Sequence, residues 1–243
     1  MKTVVRKIAT APVFRPLGMP LLHAVQYTLG LHHIEIVHFD QPERAKDAAR
    51  IREIVTSRQT QTMGVDEAYM IRAAVLRTAK VEGEIAEVGV FWGGTARVIC
   101  EAKGNRPLHL FDTFEGLPQP GEADSAFHKG QYACSLENVR QYLSGFPEVS
   151  FHQGLFPATG EPVKDRKFSF VHLDVDLYES TLGALEFFYP RMDPGAILIS
   201  HDYVAFPGVR AAFDGFFAQK PEPVVELTGN QCLIVKVARC REA

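Results

Sequence analysis

The chain has 243 residues, 26 Lys+Arg against 29 Asp+Glu, a net charge of −3 and 46% hydrophobic residues, which suits one large α/β domain, or such a domain with a small attachment. Its four cysteines, Cys100, Cys134, Cys232 and Cys240, form no C-x-x-C pair and no Cys/His finger spacing. That argues against a disulfide scaffold and a structural zinc module, and sets a reducing cytoplasm as the expected location. With no long basic run, nucleic acid is not an expected partner.

From the N-terminus, the most apolar stretch is Pro16 to Phe39, but His23, Gln26, His32, His33 and His38 interrupt it. A membrane span needs about 20 nearly unbroken apolar residues, so none is expected. Lys2, Arg6 and Lys7 are not followed by a signal-peptide core and cleavage site. Residues 1–60 read as an accessory region and residues 61–243 as the main domain. Glu43 to Arg58 places Ala48, Ile51, Ile54 and Val55 on one helical face. A surface helix is the plain reading, and a helical lid over an active site is the sharper one.

From Gly64 onward, helix and strand signals alternate. Helices are expected over 66–78, 95–102 and 136–143. Another follows an N-cap at Ser180 and ends before Pro190, and a last one carries Val209, Ala212, Phe213 and Phe216 on one face. Strands are expected over 85–90, 108–111, 149–153, 168–175 and 196–200, the last after an Asp193-Pro194-Gly195 turn. A terminal hairpin pairs 224–227 with 232–237 around Thr228-Gly229-Asn230. Repeated βα units imply a doubly wound, Rossmann-like, mostly parallel sheet of seven strands with helices on both faces and the last strand antiparallel.

In such sheets ligands bind at the carboxyl ends of the strands. Four of those ends carry signals here: Glu87-x-Gly89, Asp112, Asp174-Val175-Asp176 and His201-Asp202. The loop after the first strand is G-x-x-x-G-G, a poor match to the dinucleotide fingerprint G-x-G-x-x-G. An acid inside the strand suits a ligand with a positive charge better than a pyrophosphate. Asp112 closes the next strand, where an acid accepts hydrogen bonds from ribose hydroxyls, although a turn cap is a serious competitor for one Asp. Together these favour an adenosine-type ligand with a cationic centre and no phosphates, which describes S-adenosylmethionine.

The residues Glu87-Val-Gly-Val-Phe-Trp-Gly-Gly94, Phe111-Asp-Thr-Phe-Glu-Gly-Leu-Pro118, Leu173-Asp-Val-Asp-Leu-Tyr-Glu-Ser-Thr181, Tyr189-Pro190, His201-Asp-Tyr203 and Pro207-Gly-Val-Arg210 carry a resemblance. From about Thr62 to Phe217 the chain resembles the macrocin O-methyltransferase (TylF-type) family of class I S-adenosylmethionine-dependent methyltransferases. The resemblance implies that Glu87 and Gly89 hold the methionine end of the cofactor, Asp112 takes the ribose, and Gln153-Gly154 sits near adenine. Gly93, Gly94, Thr113 and Asp174 complete the implied cofactor set. It also implies a divalent ion, usually magnesium, held by Asp174 and the pair His201-Asp202, with Asp176 as general base. The implied substrates are sugar hydroxyls on antibiotics and related natural products.

The sequence departs from the family where an acid pair becomes His201-Asp202. Magnesium prefers oxygen ligands, whereas imidazole suits Mn, Fe, Ni or Zn. Three outcomes stay open: a softer ion such as Mn, a metal held by Asp174 and Asp202 alone, or no metal. An acceptor hydroxyl is a weak nucleophile at neutral pH and needs a base or a cation. Asp176 and His201 are the candidate bases. His109, His172, Phe216 and Phe217 read as packed core, while Trp92 reads equally as packing or as a wall of the cofactor pocket.

The leading expectation is an O-methyltransferase acting on a small hydroxylated molecule. The alternatives are a non-catalytic adenosylmethionine-binding protein and, least supported, a nicotinamide-dependent oxidoreductase. A homo-oligomer stays open.

Overall fold

The structure is a computed structural model, described for residues 39, 41–57 and 63–238. The chain divides into two compact units, Met1–Ala45 and Lys46–Ala243. Most of the expected accessory region, with His32, His33 and His38, lies outside the described residues, as does Cys240.

Seven strands form one sheet: β1 (Glu84–Val88), β2 (Leu108–Asp112), β3 (Val149–Gln153), β4 (Phe168–Leu173), β5 (Met192–Ser200), β6 (Val225–Glu226) and β7 (Cys232–Val235). Their order is β3-β2-β1-β4-β5-β7-β6, and β7 runs antiparallel to both of its neighbours. The other pairs, β1–β2, β1–β4, β2–β3 and β4–β5, are parallel. β4 is buried along its whole length, and β1 and β2 along all but one residue each. Strands covered on both faces read as continuous apolar runs, which is why these three were visible in the sequence.

Helices cover both faces. On one, α2 (Val65–Arg77), α3 (Gly94–Cys100) and α4 (Leu136–Leu143) bring Ile71, Val75, Ile99, Val139 and Leu143 against Ile85, Leu108, Leu110 and Phe170. On the other, α5 (Tyr178–Phe188) and α6 (Pro207–Phe217) bring Leu185, Phe188, Val209 and Phe213 against Ala86, Phe111, Val171 and Leu198. α1 (Pro42–Ser57) buries Ile51 and Ile54 with Ala68 and Val98. No helix among the described residues is long and apolar enough to cross a membrane. The chain runs outward through β1, β2 and β3 and returns to place β4 on the far side of β1. The ends of β1 and β4 therefore form the switch point where open α/β sheets bind ligands.

Two local expectations are corrected. α5 begins at Tyr178, so Ser180 lies in its first turn and is not the N-cap. Leu177 holds the cap position and offers no side-chain acceptor. Asp124 Oδ2 accepts from the Tyr178 N–H instead, at 2.9 Å. Asp193-Pro194-Gly195 also lies inside β5, not before it. The pairing jumps from Phe168↔Met192 to Phe170↔Ile197, so these residues form a bulge, where a strand tolerates proline.

Candidate active site

The ends of β1, β2, β4 and β5 open into one cavity of about 310 Å³. Gly89, Gly94, Asp112, Thr113, Gly154, Asp174, Asp176, His201 and Asp202 line it. Glu87, Gly93 and Gln153 do not. Gln153 is exposed at the end of the outermost strand, β3. Gly93 is turned toward α4, where an added Cβ would stand 3.0 Å from Val139 Cγ1. Val55, on the helix read as surface or lid, and Asn230, in the hairpin turn, also reach the cavity, as do Met63, Tyr132 and Phe206, which no local sequence pattern marked.

Gly89 has a φ of +85°, and a Cβ there would run into the backbone carbonyl of Asp174. The Asp174 N–H donates to the Val88 carbonyl at 2.9 Å, which seals β4 against the end of β1. This glycine thus serves the close approach of two strands.

Asp112 ties two loops together. Its Oδ2 accepts from the N–H groups of Val90 (2.7 Å) and Phe91 (2.9 Å), and its Oδ1 from Phe114 N–H (2.7 Å). Thr113 Oγ1 donates to the Gly116 carbonyl at 2.7 Å and closes the next turn. A carboxylate has about four acceptor sites, so one remains for a ligand hydroxyl. Asp112→Ala should therefore weaken S-adenosylhomocysteine binding by at least the 1.5–3 kcal/mol or so of one charge-assisted hydrogen bond, since the loops loosen as well. Calorimetry showing unchanged affinity would reject both roles.

Glu87 sits beneath the glycine loop at 0% exposure. Its cross-strand neighbour is His172, whose Nδ1 is 3.1 Å from Glu87 Oε1. Glu87 Oε2 and His172 Nε2 are both buried without a hydrogen-bond partner. Burial pushes the Glu87 carboxyl up to about 7, against the pull of His172. His172 and His109 are buried as the sequence implied, but each pairs with an acid. His109 Nε2 meets Glu84 Oε2 at 2.7 Å.

Opposite the glycine loop, the residues after β4 and β5 form an acidic cluster. His201 Nδ1 lies 3.3 Å from Asp174 Oδ1 and 3.1 Å from Asp202 Oδ2. Asp176 and Asp202 hold left-handed backbone, φ 60° and 62°, a strained conformation for a residue with a Cβ. Burial, and then the charges of Asp174 and Asp202, push the Asp176 carboxyl well above its usual range. Burial opposes the charge on Asp174, but His201 outweighs it and holds that carboxyl low. His201 is also desolvated, yet Asp174 and its neighbours hold its pKa far above the ordinary imidazole value.

A fourth acid, Glu67 of α2, was missed in the sequence and approaches His201 from behind, Oε2 to Nε2 3.6 Å. Burial disfavours its charge, but His201 and the Asn230 and Gly64 amides outweigh that and hold it at about 2. One imidazole therefore faces four carboxyl groups, and the cluster is short of positive charge. Asp174, His201 and Asp202 each offer one ligand atom, all within 4.8 Å of one another.

Residues 26–228 match the macrocin-O-methyltransferase (TylF) family. The 8-demethyl-8-(2,3-dimethoxy-alpha-L-rhamnosyl)-tetracenomycin-C 4'-O-methyltransferase of Streptomyces olivaceus is 32% identical over 169 residues, covering 62% of this chain and 64% of that protein. The demethyldecarbamoylnovobiocin O-methyltransferase of Streptomyces niveus is 30% identical over 156 residues, covering 57% and 60%. The chain thus spans 64% and 60% of the length of these two relatives. The solved structure of the O-methyltransferase NovP superposes with a TM-score of 0.65 at 27% identity, covering 72% of this chain and 81% of that one. Calicheamicin methyltransferase CalS11 shares the fold, with a TM-score of 0.61 at 19% identity over 82% and 95% of the two chains. The family match takes in every strand end that opens into the crevice, from Glu87 to Asp202, and the chain belongs to the macrocin-O-methyltransferase (TylF) family.

Proposed function

We propose that the protein is an S-adenosylmethionine-dependent O-methyltransferase acting on a hydroxyl of a small molecule, a sugar or a sugar-bearing natural product. The observation that carries this reading is a crevice with an acid cluster on one wall and, beneath the glycine loop on the other, a buried acid. Under the glycine loop, a buried Glu87 oxygen lacks a partner. Across the cavity stands an acid cluster short of positive charge. The buried acid favours a cationic group such as a methionine ammonium on the loop above it, and the cluster fits a reacting hydroxyl beside a cation. Both curated relatives carry O-methyltransferase names, and one name specifies a rhamnosyl-bearing acceptor.

When bound, S-adenosylmethionine supplies a methyl group already activated by its sulfonium, so the chain's task is alignment. The charge of Glu87, beneath the loop, faces the ammonium group, the free acceptor site of Asp112 takes a ribose hydroxyl, and Gly94 leaves the loop open. Phe91, Leu117, Tyr132 and Phe206 wall the cavity and exclude water. Asp176 is the residue that would take the proton of the acceptor hydroxyl. Asp174, Asp202 and the Nδ1 of His201 are the residues that would hold a divalent ion, which would stabilise the developing alkoxide. Two oxygens and one imidazole nitrogen suit Mn(II) better than magnesium. Val55 on α1 reaches the cavity wall, which supports a lid role for the part of α1 around it.

The test is incubation with S-adenosylmethionine labelled with 13C in its methyl group and a set of rhamnosylated polyketides and free deoxysugars. The expected product carries an O-13CH3 group at one sugar position. Tight S-adenosylhomocysteine binding with no transfer to any acceptor would favour a non-catalytic binding protein.

A further inference from the structure

Glu67 is held from three directions. Its Oε2 accepts from Gly64 N–H at 2.7 Å, closing the first turn of α2, and its Oε1 accepts from Asn230 N–H at 2.8 Å, in the turn between β6 and β7. That turn is pressed against it: a Cβ on Gly229 would stand 2.6 Å from Glu67 Oε1. The third direction is His201. Both side chains are buried, 8% and 5% exposed, and His201 Nε2 has no hydrogen-bond partner while lying 3.6 Å from Glu67 Oε2. The opposite ring nitrogen, Nδ1, faces Asp174 and Asp202.

An imidazole can offer its lone pair from either nitrogen, and the bond made by one decides what the other presents. A fixed carboxylate behind Nε2 holds a proton there and aims Nδ1 at Asp174 and Asp202, where a cation seated between those acids would take the place of the Nδ1 proton. Carboxylates behind ligating histidines act in this way in metal sites generally. We propose that Glu67 is a positioning residue that orients His201, so that Nδ1 joins Asp174 and Asp202 in one three-point seat. The cation-holding part of this inference rests on the function proposed above, whereas the orientation of the ring does not. It gives a reason for an acid in the first turn of α2 beyond capping, and for a histidine to stand where the family pattern has an acid.

The test uses the full chain, wild type and Glu67→Gln, which keeps the side-chain shape. Mn(II) binding is read by electron paramagnetic resonance, and the His201 ring by long-range 1H–15N correlation on histidine-labelled protein with and without magnesium. Mn(II) affinity should fall about 10–100-fold in the variant, and the solvent-protected Nε2–H signal of the wild type should be lost. A purely structural Glu67 would lower the melting temperature and leave both readouts unchanged, which would overturn the proposal. If the wild type takes up no Mn(II), the cation seat is wrong and the ring signal alone decides the role of Glu67. Should the variant fail to fold, the wild-type spectrum still decides: a ring protonated at Nδ1 and bare at Nε2 would overturn the proposal.

Discussion

Asp176→Asn should lower turnover by about 10²–10⁴-fold and leave S-adenosylhomocysteine affinity within about threefold. Asparagine keeps the shape and the hydrogen-bonding reach of the side chain but cannot take a proton. Asp176 lines the cavity just past the end of β4, whereas Glu87 lies beneath the glycine loop at the end of β1. The loss should therefore fall on the chemical step and not on cofactor binding. Burial and the two neighbouring carboxylates push the Asp176 carboxyl well above its usual range, so it needs positive charge nearby before it can act as a base. A near-normal rate in Asp176→Asn would transfer proton removal to His201 or to a bound cation.

Glu87→Gln should weaken S-adenosylhomocysteine about tenfold, or roughly 1.4 kcal/mol, for the loss of a buried charge that faces the ammonium group through the glycine loop. It should also change how the protein responds to pH. Burial places the folded-state carboxyl at about 7, against an ordinary value of 4.5. Between those values the unfolded chain has lost its proton and the folded chain keeps it. Stability of the ligand-free protein therefore falls as pH rises from 4.5 to 7, by on the order of 3 kcal/mol from this group. The glutamine variant should lack that slope. An ammonium group on the loop above Glu87 should also favour its charged form, so binding at pH 6 should release up to one proton. Calorimetry in two buffers of different ionisation enthalpy would measure it. Release that persists in Glu87→Gln would assign the proton to another group.

The parts of the molecule that were legible in the sequence are those where local chemistry and tertiary role agree. β1, β2 and β4 read as buried strands because both of their faces are covered. Asp112, Asp174, Asp176 and His201-Asp202 stood out because polar residues at several strand ends of a parallel sheet converge on one crevice. The failures have the opposite cause. Asp193-Pro194-Gly195 has the composition of a turn, and only the register of β4 against β5 makes it a bulge. The cap of α5 comes from Asp124, 54 residues upstream of Tyr178, and no local pattern reports that. Glu67 looks in the sequence like any acid in a first helical turn, and its approach to His201 exists only once the end of β5 and the β6–β7 turn close over it. Gln153, placed near adenine by resemblance, is exposed outside the cavity, while the adjacent Gly154 lines it.

The most direct measurement is calorimetric titration of S-adenosylhomocysteine and of NAD into the wild type, Glu87→Gln and Asp176→Asn under one buffer and salt condition. The crevice described here predicts one S-adenosylhomocysteine per chain, affinity lowered about tenfold in Glu87→Gln and kept in Asp176→Asn, and no binding of NAD. Binding of NAD in place of S-adenosylhomocysteine, or equal S-adenosylhomocysteine affinity in all three proteins, would contradict it.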